Sequence, residues 1–428
     1  MIWIYRLLFP FVLLASSPYY LLRMWKRGGY RRGFLQRFGV LATVPPRRPG
    51  VRRVWLQAVS VGEVLAVGPL LAALKADGVE VVLTTTTSTG RRVAADTHAG
   101  QAAAVAYFPM DWWPFSSRAW SRIDPDLAVV TEGERWPEHM RQAARRRVPV
   151  LCINARISDR SYRRLRSVRP VASFVLGGIH RLLAGSRPDA ERFIELGVPA
   201  DRVSVTGNIK FDVDIPRLDA AARSALRRSL GLPDSGVVLL GSSTWPGEEE
   251  ALLGALRAAR AGGVECSLVL VPRHAERRLE VARLLGTSGF SFHLRSQGPA
   301  RATVDVAVGD TTGELRAITQ VADVVFVGKS LSPHTEGQTP VEAAALGKPL
   351  LLGPGMANFR ALTGDLLERG AAVRVADAAQ LAERARELLA SPEARAPLAE
   401  AAARWHADNR GGVERTLAAL RAVLATAR

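Results

Sequence analysis

The stretch RVWLQAVSVGEV, residues 53–64, decides the fold, since a short apolar run ends at Ser60 and leads into a segment with helical spacing. A buried parallel strand followed by a helix has this pattern, because both faces of such a strand are covered. The alternation recurs in the runs EVVLTTTT (80–87), AAVAYFP (103–109), PDLAVVTEG (125–133) and VPVLCINAR (148–156). Strands that alternate with helices predict an α/β fold with a parallel, doubly wound sheet.

The pattern pauses at VSVTGNIKFDVDIP (203–216) and restarts in GVVLLGSST (236–244), SLVLVPR (267–273), FSFHLRS (290–296), VDVAVGD (304–310), DVVFVGKS (323–330) and PLLLGPG (349–355). This restart predicts a second Rossmann-like domain. Two such domains that face each other leave a cleft lined by the carboxyl ends of their strands. The expected boundaries are 25–212 and 225–405, with residues 406–428 as a terminal helix of a kind that often crosses back to the first domain.

The amino terminus, MIWIYRLLFPFVLLASSPYYLLRMW, is apolar for roughly 20 residues apart from Arg6, close to the minimum length for a spanning helix. Aromatic residues near its end favour an uncleaved membrane anchor over residues 1–24 rather than a signal peptide. A basic cluster follows at Arg23, Lys26, Arg27, Arg31, Arg32 and Arg37. The positive-inside rule then places the body of the protein in the cytoplasm. The alternative is a buried amino-terminal helix of a soluble protein.

The net charge of the chain and its His and Cys residues indicate which kinds of partner and metal site to expect. The 58 Lys and Arg against 40 Asp and Glu give a net charge of +18, which points to an anionic partner, although part of the excess is Arg scattered over solvated helix faces. We find no RNP, zinc-finger or helix-turn-helix pattern, so nucleic acid is not expected. Cys152 and Cys266 lie in apolar runs that predict buried strands, and the His and Cys spacings predict no metal site.

Ser60 and Glu63 allow two interpretations. A carboxylate at a strand-to-helix turn can serve as general base for a hydroxyl nucleophile, which makes Glu63 a candidate. A Ser followed three residues later by a Glu is also a capping box, which stabilises a helix without any chemistry. Local sequence leaves both open.

Two further turns show the same pattern, with Thr311 before Glu314 and Thr339 before Glu342. Each predicts a helix that begins after a strand with a capping Thr, and the free N–H groups of such a helix start suit a phosphate. Glycines at these turns, Gly309 and Gly313 among them, allow close backbone approach to a ligand. No GxGxxG follows the first strand, so a dinucleotide cofactor is not expected.

Charged residues at other strand ends are weaker candidates. Glu132 and Glu134 follow one strand, where acids are more often solvated than catalytic. Arg156 and Arg160 lie among hydroxyl residues in NARISDRS, and such guanidinium groups can bind phosphate or carboxylate or simply face solvent. Arg273 follows SLVLVP at another strand end.

Taken together, the motifs resemble the 3-deoxy-D-manno-octulosonic acid (Kdo) transferases, a GT-B family of glycosyltransferases that uses CMP-Kdo as donor. The resemblance runs along nearly the whole chain, in family order: WLQAVSVGEV, TTTTSTG, ERWP, NARISDRSY, VTGNIKFD, GSSTWPGEE, VPRHAER, GDTTGEL, ADVVFVGKSL, PVEAAALGKP and LLGPGMANF. A single string would be weak, whereas eleven in order are specific.

The resemblance implies a role for each candidate. Glu63 is the base and Glu134 a second acid that positions donor or acceptor. The second domain holds CMP through Arg273, Gly309, Asp310, Thr311, Thr312, Gly313, Glu314, Thr339 and Glu342. The sugar carboxylate and acceptor phosphates meet Arg156, Ser158, Arg160 and Lys210.

The implied partners are CMP-Kdo and a lipid A precursor of the lipid IVA type at the inner membrane, with no cofactor. The alternative is a GT-B transferase or epimerase that uses a different nucleotide sugar. The chain departs from the family pattern at three places: Glu132-Gly133-Glu134 stands for ETE, Ser243-Thr244-Trp245 for STH, and Glu336-Gly337-Gln338-Thr339 for GGHN. These departures leave donor detail, acceptor range and the number of Kdo residues open.

Overall fold

The computed structural model of the protein describes residues 1–27, 33–133 and 136–427, without the side chains of residues 21, 23–27 and 361. The chain folds into two compact units. The first unit comprises Met1–Asp212 together with Asn409–Arg428, and the second comprises Val213–Asp408.

The first unit is built on a seven-stranded parallel sheet with the order β3-β2-β1-β4-β5-β6-β7. Its strands are β1 (Arg53–Gln57), β2 (Glu80–Thr85), β3 (Ala104–Tyr107), β4 (Leu127–Thr131), β5 (Val150–Ala155), β6 (Arg181–Ala184) and β7 (Val203–Val205). The chain runs outward from β1 to β3 and then returns to place β4 on the other side of β1. The direction of winding therefore reverses between β1 and β4, and ligands of open α/β sheets bind at such a switch point.

Helices cover both faces of this sheet. They are α2 (Val61–Ala66), α3 (Gly68–Ala76), α4 (Ser88–His98), α5 (Trp113–Ile123), α6 (Pro137–Arg146), α7 (Asp159–Ser167), α8 (Arg169–Leu176) and α9 (Arg187–Glu195), while the first helix, α1 (Ile2–Arg27), contacts α6 and α8. One apolar core lies under α5, α6, α8 and α9, and the other under α2, α3 and α4. Burial on both faces explains why the strands read as continuous apolar runs.

The second unit repeats this architecture, with the strand order β10-β11-β9-β8-β12-β13-β14. Its strands are β8 (Val237–Thr244), β9 (Cys266–Pro272), β10 (Phe292–Leu294), β11 (Val306–Val308), β12 (Val324–Val327), β13 (Leu350–Leu352) and β14 (Ala372–Arg374). Its helices are α10 (Ala220–Ser229), α11 (Glu248–Ala261), α12 (Arg278–Gly286), α13 (Leu315–Val321), α14 (Val341–Ala345), α15 (Arg360–Glu368), α16 (Ala378–Ala390) and α17 (Pro392–Asn409). Here the switch point lies between β8 and β12.

The predicted pair of doubly wound parallel sheets is confirmed. Cys152 in β5 and Cys266 in β9 are free thiols buried in strands, as the apolar runs indicated. The second unit begins before residue 225, which lies inside α10.

The last helix, α18 (Gly412–Thr426), belongs to the first unit. Its Leu420 is fully buried in the core beneath α3, and Arg421 forms an ion pair with Asp77 at 2.7 Å. The carboxylate of Asp212 accepts hydrogen bonds from the Gly411 N–H at 3.2 Å and the Val413 N–H at 2.8 Å. The places where the chain leaves the first unit and returns to it are therefore tied together.

Helix α1 carries the predicted anchor. Among the described residues, the segment Ile2–Tyr20 is long enough and apolar enough to cross a membrane. None of its residues is fully buried in the protein. Of the basic cluster, Arg31 and Arg32 lie outside the described residues, as do the side chains of Arg23, Lys26 and Arg27. Arg37 is bound within the first unit, where its guanidinium donates to the Thr86 carbonyl at 2.6 Å and lies over the Tyr107 ring.

Two titratable groups, His139 and Asp111, are buried beside the aromatic core under α5 and α6. The neutral ring of His139 accepts from the Trp120 indole N–H at 3.1 Å and donates to the Pro109 carbonyl at 3.1 Å. Burial lowers the pKa of His139 to about 3 and raises the pKa of Asp111 to about 6. His139 therefore stabilises the fold above pH 6.5 and loses this contribution as the pH falls, whereas the contribution of Asp111 is lost as the pH rises through 6.

We expect His139→Gln to remove the first of these two opposing effects. The free energy of unfolding of both proteins is measured by urea denaturation at pH 7 and at pH 5. The wild-type value minus the variant value should be about 2 kcal/mol smaller at pH 5 than at pH 7. Asp111→Asn is the matched control, since its difference from the wild type should change in the opposite direction. Parallel pH profiles for the wild type and His139→Gln would contradict the buried neutral histidine.

Candidate functional site

Glu63 lies at the switch point of the first sheet, in the turn between β1 and α2. Ser60 is the N-cap of α2, and its hydroxyl oxygen accepts from the Glu63 N–H at 3.4 Å. The Ser60 hydroxyl donates in turn to Glu63 Oε1 at 2.8 Å. The predicted cap of α2 by Ser60 is therefore present, although the Glu63 side chain binds the backbone N–H of Val59, one residue before the N-cap position that a capping box uses. Any chemical role of Glu63 is additional to this structural one.

The carboxylate of Glu63 also reaches across the switch point. Its Oε2 atom accepts from the Val59 N–H at 2.9 Å and from the hydroxyl of Thr131, the last residue of β4. A carboxylate oxygen has two lone pairs, so Oε2 is saturated, while Oε1 has one lone pair without a donor among residues 1–27, 33–133 and 136–427. The side chain is 7% exposed. Glu63 is thus held rigidly with one oxygen able to accept a proton, which is the geometry a general base needs.

Glu132, the residue after Thr131, forms ion pairs with two of the predicted cationic residues. Its carboxylate pairs with Lys210, which follows β7, and with Arg156, which follows β5, at 3.5 Å. Glu132 and the neighbouring Asn154 both have left-handed backbone, with φ of 52° and 51°. Such conformations are costly for residues with a Cβ and are concentrated at functional sites.

Asn154 adds an unusual polar atom to this cluster. Its side chain is buried, and its Oδ1 atom has no hydrogen-bond partner among residues 1–27, 33–133 and 136–427. Of the other predicted residues, Ser158 caps α7 through the Ser161 N–H, and Arg160 is exposed on that helix. Glu134, the predicted second acid, lies outside the described residues.

Glu248 occupies the corresponding place at the switch point of the second sheet. Oε2 accepts from the Trp245 N–H at 2.9 Å and the Lys329 N–H at 2.7 Å, and Oε1 from the N–H groups of Ser330 and Leu331 at 2.8 and 3.1 Å. The side chain is 1% exposed. With all four lone pairs used, Glu248 fixes the loops after β8 and β12 and cannot act as a base.

Trp245, which replaces a family histidine, is surrounded by basic residues. The rings of His274 and His334 lie 5.4 and 5.7 Å from it, and Lys329 Nζ lies 4.2 Å from its ring centroid. The indole N–H of Trp245 is buried and finds no acceptor within the described part of the chain. Arg273 is exposed immediately after β9. The carboxyl edge of the second sheet therefore presents cations and an aromatic face.

The predicted Thr caps of α13 and α14 are wrong. Helix α13 begins at Leu315 with Glu314 as its N-cap, and α14 begins at Val341 with Pro340 as its N-cap. Thr311 instead donates to the Glu314 carboxylate, which also pairs with Arg295 at 3.0 Å. The hydrogen bond from Arg295 is the main reason that the pKa of Glu314 lies below its usual value. The turn is thus closed by side chains rather than by a helix cap.

The remaining predicted nucleotide-binding residues have mixed surroundings. The carboxylate of Asp310 is buried and accepts from Ser296, while Glu342 is half-buried and pairs with Arg316 at 3.2 Å. Thr312 and Gly313 are exposed. The hydroxyl of Thr339 accepts a hydrogen bond from the Val341 N–H. Gly309 is packed closely between the side chains of Val271 and Ile318. Thr312 and Gly313 are the members of this set whose surfaces are most open.

Sequence reasoning missed Thr131, Asn154 and Glu248. For Glu248 a signal existed, because it follows Trp245 by three residues, the same spacing that singled out Glu63 after Ser60. Its partners come from a loop more than 80 positions away, which local sequence does not reveal.

Comparisons with known proteins give matches in sequence and in fold. Residues 32–213 match the family model described as 3-Deoxy-D-manno-octulosonic-acid transferase (kdotransferase). The chain is 34% identical to the 3-deoxy-D-manno-octulosonic acid transferase of Bordetella pertussis, over 97% of this chain and 98% of the relative. It is 32% identical to the Haemophilus influenzae protein of the same name, over 98% of this chain and 99% of that protein. A glycosyltransferase from Rickettsia africae shares the fold, with a TM-score of 0.56 at 12% identity, over 88% of this chain and 99% of that one.

We expect Glu248→Gln to destabilise the second unit by about 2 kcal/mol, because the new amide nitrogen faces backbone donors that lose their acceptor. The measurement is the thermal unfolding midpoint. Glu250→Gln is the matched control, since Glu250 is an exposed acid in the same first turn of α11 and should change stability by less than about 0.5 kcal/mol. Equal midpoints for the two variants would contradict the role of Glu248.

Proposed function

Since the chain belongs to the family of 3-deoxy-D-manno-octulosonic acid (Kdo) transferases, which are glycosyltransferases, we propose that it transfers Kdo from CMP-Kdo to a hydroxyl of a lipid A precursor of the lipid IVA type. The observation that carries this proposal is the geometry of Glu63. It is a nearly buried carboxylate at a switch point, and within the described part of the chain one of its oxygens keeps a lone pair that can accept a proton.

The proposed reaction is a single displacement. Glu63 Oε1 accepts the proton of the acceptor hydroxyl as that oxygen forms a bond to the anomeric carbon of Kdo. The bond between the anomeric carbon and the phosphate oxygen breaks, and CMP leaves with the electron pair, which inverts the configuration. Thr131 and Ser60 position the base through their hydrogen bonds to its carboxylate.

The leaving phosphate carries negative charge, which cations of the second unit would stabilise. Arg273 is exposed at the end of β9, and Thr312 and Gly313 are exposed in the turn after β11. A fixed donor aimed at developing charge is worth about 3 kcal/mol of barrier. We assign CMP binding to the carboxyl edge of the second sheet. There the ring of Trp245 stands where the family has a histidine.

The acceptor phosphates would meet the basic groups of the first unit. Lys210 and Arg156 are held by Glu132, and Arg160 is exposed nearby in sequence. An anionic acceptor can compete with Glu132 for these cations, because guanidinium binds phosphate bidentately. The apolar helix α1 would keep the protein at the inner membrane, where the lipid acceptor resides, with both units on the cytoplasmic side.

We expect Glu63→Gln to lower kcat for Kdo transfer at least 100-fold, because the amide cannot accept the proton. The assay is product mass after incubation of the membrane-bound protein with CMP-Kdo and tetraacylated lipid A precursor. Ser186→Ala is the control, since Ser186 caps α9 and bonds Asp189 in the same way, so its loss removes a helix cap and about 1 kcal/mol of stability but leaves Glu63 and its partners intact. If Glu63→Gln kept full activity while losing stability, Glu63 would be a helix cap only.

We expect CMP to raise the thermal unfolding midpoint of the protein more than UDP at equal concentration, because the ligand that binds the folded state more tightly stabilises it more. Arg273→Ala should reduce the shift caused by CMP. A larger shift with UDP would favour a different nucleotide-sugar donor.

A further inference from the structure

Helix α1 is fastened to the first unit close to its amino end. The Tyr5 hydroxyl donates to Asp111 Oδ2 at 2.7 Å. The Arg6 guanidinium binds Glu138 through two hydrogen bonds of 2.7 and 2.8 Å. Glu138 is fully buried at the start of α6, and Asp111 is buried just before α5. The only charged residue of Ile2–Tyr20 is therefore neutralised by the body of the protein.

The prolines of α1 strengthen this attachment. Pro10 has no N–H, so it leaves the carbonyl of Arg6 without its helical partner. The Trp112 indole N–H donates to that carbonyl at 3.1 Å. Pro18 likewise frees the carbonyl of Leu14, which accepts from the Ser17 hydroxyl at 2.8 Å. Both freed carbonyls are thus satisfied, which is a requirement for backbone in contact with hydrocarbon.

The opposite face of α1 is an apolar stripe. Its members are 53–74% exposed and recur with helical spacing: Trp3, Ile4, Leu7, Leu8, Phe11, Val12, Leu14 and Tyr19. The positions between them, including Tyr5, Phe9 and Leu13, are half-buried. Tyr5 also contacts Phe174 of α8, with ring centroids 6.2 Å apart. The helix therefore has a face turned to the protein and a face with no protein partner among the described residues.

We propose that α1 lies in the plane of the membrane, with its apolar stripe in the boundary between headgroups and acyl chains, and does not cross the bilayer. This inference rests on the proposed membrane location of the protein. A spanning helix would place Tyr5 and Arg6 on one side of the bilayer and the residues after α1 on the other. Both ends instead join one compact unit, since Tyr5 and Arg6 bind Asp111 and Glu138 of the same body that continues from residue 33.

The positive charge beside α1 indicates that the surface in contact with its apolar stripe is an anionic lipid membrane. Helix α8, which contacts Tyr5, follows directly on α7, and the two helices carry five exposed arginines: Arg160, Arg163, Arg164, Arg166 and Arg169. Exposed Val168 and Val171 lie between and after them. A basic surface with interspersed apolar residues next to an apolar stripe suits anionic headgroups above acyl chains.

Depth measurements with spin labels test the proposal. Single cysteines are introduced at Ile4, Leu8, Phe11 and Tyr19 of the stripe in the full chain, whose own Cys152 and Cys266 are buried and should remain unlabelled. The proteins are placed in vesicles of phosphatidylethanolamine and phosphatidylglycerol. Ala425→Cys is the matched control, because α18 packs on the face of the sheet opposite to α5, α6 and α8.

The expected result is one common depth of about 5–10 Å for all four labels, with the Ala425 label in water. A spanning helix would instead place the Phe11 label about 10 Å deeper than the Ile4 label, at 1.5 Å per residue, and that outcome would overturn the in-plane arrangement alone. If all four labels stayed in water, the proposed membrane location itself would fail.

A second variant tests the attachment. Arg6→Met combined with Glu138→Gln removes both charges together, so no unpaired buried charge remains. The spectrum of the Ile4 label should become more mobile, while that of the Tyr19 label stays unchanged. An unchanged Ile4 spectrum would show that these contacts do not hold the helix.

Discussion

Both sheets depend on one constraint, which is that backbone N–H groups at the carboxyl ends of parallel strands need acceptors where the winding reverses. In each unit a carboxylate in the turn after the strand meets it: Glu63, six residues beyond the end of β1, and Glu248, four residues beyond the end of β8. Each accepts an N–H from its own turn and reaches the strand across the switch point. The two carboxylates differ in the lone pairs that remain, because four N–H groups saturate Glu248, whereas Oε1 of Glu63 keeps a lone pair that no donor of the described residues uses. The same device is structural in one unit and suited to proton transfer in the other.

The sequence predicts what depends on local pattern. The strands, the doubly wound sheets and the buried cysteines follow from apolar runs, and the cap of α2 by Ser60 follows from spacing. Spacing failed at Thr311 and Thr339, where the backbone enters the helix later and the hydroxyls bind elsewhere. It gave no hint of the ion pair between Arg6 and Glu138, which are 132 positions apart, because tertiary packing alone brings them together.

Asp111 links α1 to the core of the first unit. Its carboxylate accepts from the Tyr5 hydroxyl of α1 and from the N–H groups of Glu138 and His139, which begin α6. His139 in turn contacts Trp55 of β1, two residues before the end of that strand. Because β1 leads directly into the turn that holds Glu63, one continuous set of buried contacts connects the apolar helix with the candidate base. The base is thereby held in a fixed position relative to α1.

The carboxylate of Asp212 joins the points where the chain leaves the first unit and comes back to it. The second unit therefore interrupts the first as an insertion whose two junctions lie side by side. A unit inserted between adjacent junctions can be exchanged for another without opening the apolar core of the first unit. Because α18 contributes to that core, the core closes only after the whole second unit has been synthesised.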